Sequence, residues 1–196
     1  MENGQIIELL SALTCIWSIW LNTERKARSW PVGLISVLLA GHVYYREGLL
    51  AECALQVFYF GSGIYGWWSW ATIGNNKNEN SIEVDNLTHQ SRLTGLFSAV
   101  TGSFILFWFL NLFPRATSPI PDAILTSFSL LAQLWLARRK IENWILWMVI
   151  NIGSAVLYVQ RELWFFAILY CLLFLLAVKG FWSWKERMKV CSERLP

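Results

Sequence analysis

The candidate site residues inside the apolar segments of this sequence are mainly neutral amides and aromatic rings. Gln56, Gln133 and Asn151 can each donate and accept hydrogen bonds. Nearby Trp and Tyr rings offer faces that stack on a flat ring and attract a cation. We therefore expect a flat aromatic, cationic small molecule that carries hydroxyl groups. A phosphorylated substrate would be poorly served, because no cluster of Arg that could grip a phosphate is apparent.

The candidate substrate-binding residues recur at helical spacings. On one apolar segment Gln56, Tyr59 and Tyr65 are separated by multiples of three, which predicts a shared helix face. On another, Trp144, Trp147 and Asn151 follow at intervals of three and four. The complete predicted set is Trp30, Gln56, Tyr59, Tyr65, Gln133, Trp144, Trp147, Asn151, Tyr170 and Lys179.

Each of these residues also has a simpler structural explanation. Trp30 and Trp144 lie near predicted helix ends, where an interfacial aromatic belt explains them as well as a ligand does. The amides could be interhelical hydrogen-bonding groups, and Lys179 could snorkel to the membrane surface. No nucleophile–base pair and no Cys or His metal-binding spacing is present in the sequence. We therefore expect neither an enzyme nor a metal or other cofactor.

The elements that carry these residues are predicted to cross a membrane. Hydrophobic residues make up 56% of the 196-residue chain and charged residues 15%, against about 25% charged in soluble domains. Met1–Gln5 lacks the positive region of a signal peptide, so the first apolar run is expected to be retained. The sequence predicts an all-α membrane protein with seven transmembrane helices at Ile6–Leu21, Pro31–Tyr45, Leu49–Trp70, Thr94–Phe113, Pro121–Ala137, Trp144–Val159 and Leu163–Trp184.

Basic residues are concentrated in alternate loops, which predicts the orientation. The loops around Arg25, around Lys77 and Arg92, and around Arg139, together with a C-terminal tail from Lys185, hold 12 of the 16 Lys and Arg residues. The other loops hold only Arg46, Arg115 and Arg161. By the positive-inside rule we expect the N-terminus outside and the C-terminus inside. The basic residues occur in short clusters between apolar runs, so nucleic acid is not an expected partner.

The sequence repeats itself at an offset of 114 residues, the separation of Trp30 and Trp144. At this offset the pentad GWWSW ending at Trp70 falls on GFWSW ending at Trp184. We predict a first three-helix repeat at 1–74, a polar linker with one helix at 75–118, and a second repeat with a basic tail at 119–196. The single linker helix lets both repeats run parallel in a 3+1+3 arrangement. Such repeats form a midplane site at their interface.

These motifs resemble those of the PnuC-type vitamin transporters. The matching segments are WPVG from Trp30, Gln56 with Tyr59, the aromatic ending at Trp70, and Ala137–Asn151 with its WxxW pattern. The resemblance implies the 3+1+3 architecture also seen in SWEET sugar carriers. It also implies a bacterial inner-membrane location and a homotrimer. Gln56, Trp144, Trp147 and Asn151 match positions that this family associates with its substrate, whereas Tyr59, Tyr65 and Tyr170 come from helix geometry.

The expected function is facilitated diffusion of an unphosphorylated vitamin precursor, by resemblance most often nicotinamide riboside, which a cytoplasmic kinase then traps. Thiamine, riboflavin and deoxynucleosides are alternative substrates of related members. An ion-coupled carrier of the same architecture is a second alternative, and a membrane receptor that only binds is a third.

Overall fold

Nearly all of the residues that the structure describes are helical. A computed structural model describes residues 3–46, 50–74, 84–111, 119–162 and 164–192. These residues form seven helices: α1 (Asn3–Thr23), α2 (Ser29–Arg46), α3 (Leu50–Gly74), α4 (His89–Leu110), α5 (Pro119–Ala137), α6 (Glu142–Gln160) and α7 (Trp164–Ser192). The prediction of seven helices is confirmed.

Two of the predicted helix ends are wrong by five residues or more. Helix α4 begins at His89 rather than Thr94, because the Thr88 side chain caps it by accepting a hydrogen bond from the Ser91 N–H at 3.3 Å. Helix α7 continues beyond Trp184, so Lys185 and its basic neighbours lie in a helix rather than a tail. Most of the predicted polar linker, residues 75–83, and the predicted end of the fourth helix lie outside the described residues.

Five of these helices, α1 and α4–α7, are long and apolar enough to cross a bilayer. Helices α2 and α3 are richer in Gly, Ser, Tyr and Trp, which are less apolar than aliphatic residues. Large apolar side chains are exposed on α3, α4 and α7, including Val57, Phe97, Phe104 and Leu175. Exposed apolar surface of this extent is typical of helices whose solvent is lipid.

The chain divides into two compact units, Met1–Glu83 and Val84–Pro196. In the first unit α1 packs against α2, and α2 against α3. In the second unit α4, α5, α6 and α7 pack in chain order. Ala99, Leu131 and Trp135 form a buried cluster between α4 and α5.

Small residues and hydroxyl groups join neighbouring helices within each unit. The hydroxyl groups of Ser11 and Ser36 each donate to the other residue's carbonyl, at 3.1 and 2.9 Å. In the second unit the Ser127 hydroxyl donates to the Ala99 carbonyl at 2.7 Å, and a Cβ on Gly102 would lie 2.6 Å from that hydroxyl. Small residues therefore allow the close helix approach that is typical of membrane proteins.

The turns that follow α1 and α5 have the same local structure. Arg25 and Arg139 adopt positive φ angles of 57° and 58°. The next residue, Lys26 or Lys140, donates its N–H to the carbonyl five residues earlier, at 3.1 or 2.9 Å. This is the Schellman ending of a helix, and it recurs at the offset that relates the two halves of the sequence.

Candidate functional site

One Trp pair fastens the last two helices of each unit. Trp30 meets Trp70 edge-on with ring centroids 5.4 Å apart, and Trp144 meets Trp184 at the same separation. A Cβ on Gly180 would lie 2.6 Å from the Trp144 ring. Trp30 and Trp144 are 4% and 2% exposed. The structure thus places both predicted site residues in the packing of their own units.

Asn151 lies at the middle of the contact between α6 and α7. Trp144 and Tyr158 stand seven residues before and after it, which puts all three on one face at intervals of about 10 Å. Trp144 contacts Trp184, and Tyr158 contacts Tyr170, so this face is directed at α7. Asn151 is buried, and its side-chain amide forms no hydrogen bond with the described residues. A neutral hydrogen-bonding group therefore lies midway between two aromatic layers.

The second of these layers is a stack of three rings. Tyr158 stacks on Phe166 at 5.2 Å and on Tyr170 at 5.3 Å, with interplanar angles of 24° and 14°. Tyr170 was predicted, but its partners Tyr158 and Phe166 were not. The spacing of seven residues between Asn151 and Tyr158 was the available signal, because it places both on one helix face.

In the first unit the structure brings Gln56 against α2. A Cβ on Gly41 would lie 3.6 Å from the Gln56 Cβ. Gln56 is half-buried, and its amide has no hydrogen-bond partner among the described residues. Tyr59 is also half-buried. The predicted common face is wrong for Tyr65, which lies nine residues from Gln56, half a turn around the helix, and is 38% exposed.

The remaining predicted residues lie on three helices of the second unit. Trp147 is half-buried on α6, one turn before Asn151. Gln133 is half-buried on α5, and its amide likewise has no hydrogen bond within the described part of the chain. Lys179 is exposed on α7, as the snorkelling alternative expects. The described residues include no group of three His, Cys, Asp or Glu that could hold a metal ion.

Charged residues of the second unit form ion pairs at both ends of α5 and α6. Arg161, which follows α6, donates to Asp122 at the start of α5 at 3.0 Å. At the opposite end of the same two helices, Lys140 donates to Asp85 at 2.6 Å. This hydrogen bond holds the pKa of the Asp85 carboxyl below its ordinary value. The described guanidinium groups of Arg92 and Arg161 are thus occupied by carboxylates.

Comparison with known proteins places the whole chain in one family. A family model described as nicotinamide mononucleotide transporter matches residues 5–186. The nicotinamide riboside transporter PnuC of Escherichia coli is 26% identical over 203 aligned residues, which cover 91% of this chain and 84% of that protein. The riboflavin/roseoflavin transporter RibM of Streptomyces davaonensis is 22% identical, with 86% and 79% covered.

A solved structure shares the fold. The crystal structure of the vitamin B3 transporter PnuC aligns with a TM-score of 0.75 at 23% identity, covering 93% of this chain and 82% of that one. Together with the apolar helices, the match over residues 5–186 leads to one conclusion. This chain is a multi-pass membrane protein that belongs to the nicotinamide mononucleotide transporter family, a family of transporters that includes PnuC.

Proposed function

We propose that this chain imports unphosphorylated nicotinamide riboside across a bacterial inner membrane by facilitated diffusion. The similarity to PnuC of Escherichia coli along nearly the whole chain supports this substrate. Within the cell a kinase would phosphorylate the riboside and so prevent its return. Net uptake requires no ion gradient, because phosphorylation keeps the concentration of free riboside inside the cell low.

The observation that carries this proposal is the unpartnered amide of Asn151 between two aromatic layers. An amide can bond to ribose hydroxyls and to the carboxamide of nicotinamide. The flat cationic ring of the riboside gains from stacking and cation–π contact with aromatic side chains such as Trp147. In the first unit, Gln56 offers a second free amide on the seam between α2 and α3.

The partners of two basic groups support a substrate that carries no phosphate charge. A phosphate is held best by bidentate Arg contacts. Glu142 binds Arg92 and Asp122 binds Arg161, so neither guanidinium is available. This favours the riboside over the mononucleotide that the family description names.

For the architecture, we propose that all seven helices span the membrane as a 3+1+3 parallel repeat of the SWEET type. The recurrence of the Schellman turn and of the Trp pair at one sequence offset supports the repeat. The basic loops support an outside N-terminus and an inside C-terminus. By resemblance to the family, the assembly in the bilayer would be a homotrimer.

Flux into proteoliposomes tests the function. Purified protein should let labelled nicotinamide riboside equilibrate across the bilayer, and unlabelled riboside should compete with it. Nicotinamide mononucleotide is the matched control, because it differs by one phosphate and should compete poorly. The proposal fails if the riboside neither crosses the bilayer nor binds, or if the mononucleotide is the better competitor.

A riboflavin substrate is a second candidate, because RibM also matches most of this chain. Thiamine and deoxynucleosides share the ring-and-hydroxyl chemistry and belong in the same competition series. A thermal-shift screen separates them, since the ligand that binds the native state raises its melting temperature by mass action. Uphill accumulation driven by an imposed proton or sodium gradient would replace the uniporter with an ion-coupled carrier.

A further inference from the structure

A short segment before α4 is fastened to the turn between α5 and α6. Asp85 donates its N–H to the Arg139 carbonyl at 3.2 Å and accepts from the Ile141 N–H at 3.1 Å. The Lys140 ammonium group adds a hydrogen bond to the Asp85 carboxylate at 2.6 Å. The backbone of the linker segment is thus paired with the backbone that leads into α6.

Glu142 completes this attachment from the first residue of α6. Its carboxylate accepts the Leu87 N–H through both oxygens, at 3.0 and 3.1 Å, and accepts Arg92 Nε at 3.0 Å. The Glu142 side chain is only 10% exposed, so these donors replace most of the water that a carboxylate requires. We call Asp85, Leu87, Arg92, Lys140 and Glu142 the latch.

The latch lies next to the residues assigned to the substrate. Glu142 stands two residues before Trp144, and the same helix carries Trp147 and Asn151. Fixing the first turn of α6 fixes the rotation of the face on which those three residues lie. The Asp122–Arg161 pair joins the other ends of α5 and α6 without involving α4.

The latch is not part of the repeat. At the offset of 114 residues, Glu142 corresponds to Arg28, so the carboxylate of the second unit is replaced by a basic residue in the first. The two Schellman turns are alike in backbone, yet the acidic residue that binds the linker occurs after the second turn alone. The turn can therefore form without an acidic residue at this position, so the turn alone does not explain why Glu142 is acidic.

We propose that Glu142 is a positioning residue for transport: the latch holds the linker helix α4 and the site-bearing helix α6 as one body throughout the transport cycle. This inference rests on the proposed function. Helix α4 would then move with α5–α7 rather than act as a free tether. Loosening the latch would let the first turn of α6 shift and so misplace Trp147 and Asn151.

Substrate affinity separates positioning from a purely structural role. Glu142→Gln keeps the volume but removes the charge that Arg92 requires, so we expect the half-saturation concentration for riboside, per folded protein, to rise about tenfold. Arg92→Lys should retain near-native affinity. The matched control Arg161→Gln breaks the ion pair between α5 and the end of α6, and it should lower the melting temperature without changing half-saturation. Unchanged half-saturation in folded Glu142→Gln would overturn the proposal.

A disulfide tests whether the latch stays closed. Asp85 and Lys140 are opposed in a β-bridge, a placement suited to a cross-link when both are changed to Cys in a chain whose four native Cys are Ala. The oxidised protein should transport as fast as the reduced protein, and oxidation should also restore the affinity lost in Glu142→Gln. A block on oxidation that a reductant reverses would show that α4 leaves α6 during transport, and would overturn the proposal.

Amide hydrogen exchange tests whether the latch forms, and it requires no substrate. The Leu87 amide should exchange slowly in the native protein and quickly in Glu142→Gln. Fast exchange in the native protein would overturn the latch. If the native chain carries no riboside while this protection is present, the proposed substrate is wrong and the latch stands.

Discussion

Asn151 differs from most polar side chains in these helices. Thr14, Ser62 and Ser103 bond to carbonyls of their own helices, and Ser127 bonds to a neighbouring helix. The buried Asn151 amide bonds to none of the described residues. Its donors and acceptor therefore stay available to a substrate, which is the physical reason to assign Asn151 to binding.

Trp147→Ala should weaken riboside binding by about tenfold, because it removes the half-buried ring on the Asn151 face of α6. Isothermal titration of the detergent-purified variant measures this loss. Ile145→Ala is the control, since Ile145 is exposed on the same helix. Equal affinity in the two variants would remove Trp147 from the site.

Gly180→Ala should destabilise the second unit by about 1–3 kcal/mol, because the new Cβ would overlap the rigid Trp144 indole. Gly61→Ala is the matched control. A Cβ on Gly61 meets nothing within 4 Å, so that variant should be neutral or slightly more stable. Thermal unfolding of both variants measures the difference. A Gly180→Ala protein as stable as Gly61→Ala would contradict the close packing of Trp144.

The sequence predicts some of these residue placements and not others. The sequence repeat alone was enough to show that Trp30 corresponds to Trp144 and that Trp70 corresponds to Trp184. Whether Trp144 packs or binds depends on which residue faces it across the seam, and composition does not contain that information. The prediction misplaced Tyr65 because three residues turn an α-helix about 60° short of a full turn. Over the nine residues from Gln56 to Tyr65 this shortfall adds up to half a turn.

Among the elements, the segment before α4 departs most from its predicted character. Its polar composition is typical of a solvated linker, yet Asp85 and Leu87 are bound to the α5–α6 turn. Arg92 and Glu142 are separated by 50 residues, so no local pattern indicates their contact. The Thr88 cap, in contrast, is a local signal that is readable from the sequence.

The attachment of Asp85 should respond to acid. Its folded-state pKa lies below the unfolded value of about 3.9, so its stabilising contribution is fully present above about pH 4. That contribution is lost as the pH falls through the folded-state pKa. Asp85→Asn should therefore unfold at a lower temperature than the native chain at pH 7.

Melting curves of the two proteins from pH 7 downward measure this effect. Their difference should stay constant down to about pH 5, shrink below about pH 4, and vanish only when the pH is below the folded-state pKa of Asp85. A difference that grows on acidification would contradict the hydrogen bond between Lys140 and Asp85.

For the whole molecule, the charge pattern predicts which side of the membrane each end occupies. A fluorescent protein that folds only in the cytoplasm should fluoresce when it is fused after the C-terminus, because the basic residues from Lys185 onward favour the inside. A periplasmic reporter fused at the same point is the control and should be inactive. The reverse result would overturn the orientation.

The central claim is that a nucleoside crosses the membrane by way of the free amide at Asn151. Riboside counterflow in proteoliposomes, measured side by side for the native chain, Asn151→Ala and Val149→Ala, tests it most directly. Val149 is 63% exposed on the same helix. We predict native counterflow in Val149→Ala and a rate about tenfold lower at subsaturating riboside in Asn151→Ala, which stays folded. Equal counterflow in all three proteins, or none in the native chain, would contradict the claim.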